Sequence, residues 1–79
     1  MTSQKNSIGE RLRALRHSKK MTQAMVAARC GMMGWDASEN TITKIENRIR
    51  CVSDHELIIL AQAVRVKLKE FFPQHPSLF

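Results

Sequence analysis

Residues 31–48 read GMMGWDASENTITKIENR, and the fold turns on where a helix ends and the next begins within them. Both Gly31 and Gly34 can supply the left-handed residue that stops a helix. Gly34 is the better choice. It lets Met32 and Met33 extend the preceding helix by most of a turn and leaves only Trp35, Asp36 and Ala37 before a new cap. Ser38 is that cap; Glu39 and Asn40 sit in an exposed first turn, and Ile42 with Ile45 form a buried stripe.

Working outward, Ser7-Ile8-Gly9-Glu10 has the form of a capping box, and Ile8, Leu12 and Leu15 recur at helical spacing, so a first helix runs to about Ser18. Thr22 caps a second helix with Val26, Ala27 and Cys30 facing inward. Its small residues Ala24, Ala27 and Ala28 permit a close crossing with a neighbour. Ser53-Asp54-His55-Glu56 is another capping box, opening a fourth helix with Leu57, Leu60, Ala61 and Val64 inside. A fifth short helix spans about Lys67 to Phe72 and ends at Pro73. With no strand pattern, repeat or low-complexity linker, the 79 residues predict an all-α single domain. A chain of this size buries only about 60% of its unfolded surface.

The longest apolar run, Leu57–Ala61, is far too short to cross a bilayer. The N-terminal MTSQKNS lacks the apolar segment of a signal peptide. A soluble, cytoplasmic protein is the expectation. Cys30 and Cys51 have no CxxC partner and His17, His55 and His75 show no ligand spacing, so neither a metal nor a cofactor is expected. Ser53, Asp54 and His55 carry the letters of a hydrolytic triad, but consecutive residues opening a helix point in different directions. No phosphate-binding glycine loop or paired-carboxylate cleft appears, and the reading is not an enzyme.

Charge is unevenly placed. Residues 1–50 hold ten basic groups against four acidic ones, and residues 51–79 hold three of each. The whole net charge of +6 therefore lies on the first part of the chain, as expected when one face meets a polyanion.

Thr22-Gln23, Val26-Ala27, Gly31 and the run Ile42-Thr43-Lys44-Ile45-Glu46-Asn47 together resemble the phage Cro and repressor type of helix-turn-helix protein, the XRE family. The likeness covers about residues 8–72 and implies a compact five-helix, lambda-repressor-like domain that binds double-stranded DNA with its third helix in the major groove. Residues 1–7 would be a flexible arm and residues 73–79 a tail. By the same resemblance Gln23 and Asn47 match phosphate contacts, and Arg16 with Glu46 matches an ion pair joining the first helix to the third. Base reading would fall to Glu39, Asn40, Thr41 and Lys44, whose chemistry suits adenine, guanine, cytosine and thymine edges. Glu39 has the alternative of complementing the helix dipole, and Lys44 that of touching phosphate. Ser38, Arg48 and Arg50 complete the expected backbone contacts.

Two departures from the family stand out. The turn between the second and third helices is about five residues longer than usual, and Trp35 is expected to close the hydrophobic gap this makes, with contact of Trp35 or Asp36 with the DNA backbone or a second subunit as the alternative. Lys20, Arg48 and Arg65 stand where the family often has a glycine after a helix. In the C-terminal segment, Leu68 and Phe72 are expected to finish the core, leaving Phe71, Leu78 and Phe79 as an apolar surface for a second copy or a protein partner. The functional expectation is a transcriptional regulator of repressor type. The alternative is an interaction module, or an antitoxin-like component whose tail binds a toxin.

Overall fold

In the computed structural model, which describes residues 3–72 and their side chains from Ile8 onward, the chain forms α1 (Ser3–Ser18), α2 (Gln23–Met32), α3 (Glu39–Glu46), α4 (Asp54–Ala63) and a 3-10 turn, η1 (Leu68–Phe71). The all-α expectation holds for these residues, with four α-helices where five were expected. α1 begins at Ser3 rather than Ser7. No proline or glycine interrupts the chain ahead of Ser7, so the helical backbone continues into the segment read as an arm and the Ser7–Glu10 box falls inside it. Leu78 and Phe79 lie outside the described residues.

All four α-helices stop in the same way. Lys20, Gly34, Arg48 and Arg65 adopt φ of 58°, 96°, 65° and 61°, and the N–H of the next residue reaches back to the carbonyl five positions earlier. These bonds are Met21 to Arg16, Trp35 to Cys30, Ile49 to Lys44 and Val66 to Ala61, at 2.9–3.0 Å. Each left-handed residue also donates to the carbonyl three before it, which completes a Schellman motif and satisfies otherwise orphaned carbonyls. At Lys20, Arg48 and Arg65 the motif is made without glycine, at a cost of about 1 kcal/mol each. A cation beside the negative end of the helix offsets part of that cost.

Helix starts are equally local. Ser38 Oγ accepts from the Thr41 N–H at 3.1 Å, and Ser53 pairs reciprocally with Glu56. The core gathers Leu12 and Leu15 from α1, Val26, Ala27 and Cys30 from α2, Ile42 and Ile45 from α3, and Ile59, Leu60, Ala61 and Ala63 from α4, with Val64 just beyond it. Burial pushes the Cys30 thiol up to about 11, so it packs as a small inert hydrophobe. Trp35 packs against this core from the turn, as does Phe72.

Phe71, expected on the surface, is fully buried, whereas Leu68 is 37% exposed. η1 is a single 3-10 turn rather than the α-helix whose spacing would pair positions 68 and 72, and its last residue, Phe71, is the one that enters the core. Phe71 is thereby removed from any partner surface.

The crossing of α1 over α3 depends on Gly9. A Cβ there would strike the Ile45 carbonyl oxygen and lie 3.3 Å from the Glu46 Cα, both of them backbone atoms that cannot swing aside. In contrast, a Cβ on Gly31 would meet nothing within 4 Å. Urea denaturation should therefore separate two chemically identical changes. Gly9→Ala is expected to lose roughly 1–3 kcal/mol through overpacking, and Gly31→Ala to gain roughly 0.5–1 kcal/mol from helix propensity.

Candidate nucleic-acid interface

Three helices converge on one buried carboxylate. Glu46, the last residue of α3, is 2% exposed. Arg16 of α1 binds it in a fork, Nε to Oε2 at 2.7 Å and Nη2 to Oε1 at 3.0 Å. Gln23 of α2 donates to Oε1 at 3.0 Å, and Arg13 Nε approaches the same oxygen at 3.4 Å. The remaining Arg16 nitrogen donates to the Met21 carbonyl at 3.0 Å, so the pair is closed on every side. Burial alone would push the Glu46 carboxyl up, but hydrogen bonds from Arg16, Gln23 and Arg13, together with the Arg16 charge, outweigh it and hold the carboxyl below its ordinary value.

With Ile42, Ile45 and Glu46 turned inward, helical geometry puts Asn40, Lys44 and Asn47 on one outward stripe at i, i+4 and i+7. Glu39, Asn40 and Lys44 are exposed, and their side chains have no hydrogen-bond or ionic partner among the described residues. Thr41 is half-buried and its hydroxyl is spent on the Ser38 N–H at 3.3 Å, which leaves its methyl for contact. Asn47 accepts from Arg13 Nη2 at 2.8 Å through Oδ1 and keeps its amide nitrogen free.

Other residues marked from the sequence are already occupied. The Gln23 side chain uses both ends internally, donating to Glu46 and accepting from Thr43 Oγ1 at 2.7 Å. An anion at the start of α2 would then meet the main-chain N–H groups of Gln23 and Ala24, which no intrahelical carbonyl can reach. Arg48 pairs with Glu10 at 3.0 Å, both side chains exposed. Arg50 grips Glu56 with two nitrogens at 3.0 and 3.1 Å, donates to the Cys51 carbonyl, and lies 5.6 Å from the Trp35 ring centroid. Its guanidinium is committed within the fold rather than free for phosphate. Ser38 serves as the α3 cap.

The sequence reading missed Arg13 and Thr43. Arg13 stands three residues before Arg16 on α1, the spacing that puts both on one face, and Thr43 follows Glu39 by four. A cleft of about 300 Å³ between the α1 start and the α3–α4 loop is lined by Ile8, Gly9, Ile45, Arg48, Arg50, Cys51 and Val52. Both of its cations are already paired. Among the described residues there is no cluster of metal-ligating side chains and no helix long and apolar enough to cross a membrane.

The Glu46 network makes stability sensitive to acid. A carboxyl held below its ordinary value of 4.5 contributes fully above that pH. It loses the contribution as pH falls through and below 4.5, where the unfolded chain binds the proton first. Glu56, lowered chiefly by its hydrogen bonds from Arg50, adds in the same direction. Denaturation at stepped pH should show stability falling below about pH 5, with a shallower fall in Glu46→Gln. Arg16→Met, which strands the buried carboxylate, should cost about 3–5 kcal/mol at neutral pH.

A family model described as a helix-turn-helix domain matches residues 7–71, a span that runs from α1 through η1 and contains the whole Glu46 network. Comparison with curated proteins and with solved structures returned no match. The resemblance read from the sequence is therefore shown at the level of the helix-turn-helix domain, and the chain belongs to that family.

Proposed function

We propose that the chain binds double-stranded DNA as a sequence-reading transcriptional regulator of repressor type, with α3 in the major groove. The observation that carries this reading is the division of α3 into two faces. Its inner face is locked by Glu46 and two buried isoleucines, while Glu39, Asn40 and Lys44 project outward with donors and acceptors unspent. Unspent polar groups on a rigid helix are what base reading requires, because a group already bonded within the protein must break that bond first.

The roles divide by chemistry. Asn40 offers both a donor and an acceptor and can pair with the adenine edge; Lys44 suits guanine, Glu39 the cytosine amino group, and the Thr41 methyl the thymine methyl. Backbone contacts fall to the free amides opening α2, to Ser38 at the start of α3, and to the Asn47 amide. Arg48 would leave only an exposed pair with Glu10, worth about 0–1 kcal/mol, to reach a phosphate. Two copies of the chain, related by a two-fold axis, would present two α3 helices to half-sites about 34 Å apart.

The test is selection from a randomised duplex library at near-physiological salt, followed by affinity measurements on the recovered sequence. A two-fold symmetric motif is the expected product. Asn40→Ala should then lose about 1–3 kcal/mol of discrimination at one base position and leave the salt dependence unchanged. Equal losses on all sequences for Asn40→Ala would remove it as a reader, and failure to recover any motif would overturn sequence reading by α3.

A further inference from the structure

Trp35 and Arg50 flank α3, one in the turn before it and the other in the loop after it, and the Arg50 guanidinium lies over the Trp35 ring at 5.6 Å. The same guanidinium bonds both oxygens of Glu56, at 3.0 and 3.1 Å, and the Cys51 carbonyl at 3.0 Å. Glu56 is itself fixed, since its Oε1 accepts from the Ser53 N–H at 3.1 Å in the box that opens α4. Trp35 is fixed too, by its N–H bond to the Cys30 carbonyl and by packing against the core. One side chain thus ties the entry of α3, the exit of α3 and the start of α4 to each other.

Only arginine does this. Its planar guanidinium can bond both oxygens of a carboxylate and a carbonyl while lying over a ring, whereas a lysine ammonium is a point charge that cannot reproduce the two-nitrogen fork. The clasp is separate from the Glu46 network in its members: the buried network holds the end of α3 against α1 and α2, and the clasp joins its two flanks. An eight-residue helix has little stability of its own, so its tilt is set by what grips it.

We propose that Trp35 and Arg50 are positioning residues for base reading, setting the angle at which α3 presents Asn40 and Lys44 without touching DNA themselves. This rests on the DNA-reading function proposed above, and the experiment keeps the two separable. Arg50→Lys retains the charge and removes the two-nitrogen fork on Glu56; Trp35→Leu retains apolar packing and removes the ring face. Each full-length variant is measured in two ways, by amide hydrogen exchange of α3 relative to α4, and by affinity for the selected duplex against an unrelated duplex across a salt series.

The expected result for both variants is faster exchange in α3 than in α4 and a selective-to-unrelated affinity ratio lower by about tenfold or more, the equivalent of one good base contact. The salt slope and the affinity for unrelated DNA stay as in the wild type. Unchanged exchange in α3 overturns the clasp whatever the DNA result. An unchanged affinity ratio overturns its role in reading. If Arg50→Lys is like the wild type while Arg50→Ala flattens the salt slope on every duplex, Arg50 is a phosphate contact and the proposal fails. If the wild type shows no preferred duplex, the DNA-reading function itself falls, and exchange then decides the clasp alone.

Discussion

The carboxylate of Glu46 is the interaction on which the rest of the molecule depends. A helix as short as α3 is marginal in water by itself, and its two buried isoleucines set which face points inward but not its height or tilt. The fork from Arg16 and the bond from Gln23 supply that register, because a buried carboxylate tolerates little departure from full satisfaction. Gly9 permits it by letting α1 approach the end of α3 backbone to backbone. The outward stripe then follows without further instruction: with Ile42, Ile45 and Glu46 inside, Asn40 and Lys44 have nowhere to point but away.

The helix ends show a second economy. Every α-helix is stopped by a left-handed residue followed by an apolar one, and three of the four do it with lysine or arginine. In Met21, Trp35 and Val66 the apolar residue packs against or into the core; Ile49 alone is left 72% exposed. At the three turns without glycine the chain accepts strain and keeps a cation. Arg48 uses its charge on Glu10, while Lys20 and Arg65 have no ionic partner among the described residues.

What the sequence made legible is what depends on neighbours a few residues away. The Ser38 and Ser53 caps, the stop at Gly34 and the inward faces of α2 and α3 follow from spacing alone, as do the left-handed positions once the family is recognised. The Arg16–Glu46 pair was legible only through that recognition, since thirty residues separate its members and no local pattern joins them. What stayed hidden was set by packing between distant segments. Phe71 entered the core in place of Leu68, in a segment that forms a single 3-10 turn where helical spacing had suggested an α-helix. Arg50 looked like a free cation, but the fold sets it over Trp35 and onto Glu56. Gln23, at the start of α2, looked available to a phosphate, but the approach of α3 gave both ends of its amide a partner.

The connection from α2 to α3 therefore reads as a support: Trp35 packs against the core from it and lies under the Arg50 guanidinium. The most direct measurement is an amide chemical-shift titration of the full chain with a mixed-sequence duplex, which maps the contact face even where binding is non-specific. Shifts concentrated on residues 38–47 and the first turn of α2, with the buried residues of α4 unmoved, are the predicted result. Shifts confined to α4 and η1, with residues 39–44 silent, would contradict the assignment of α3 as the surface that meets DNA.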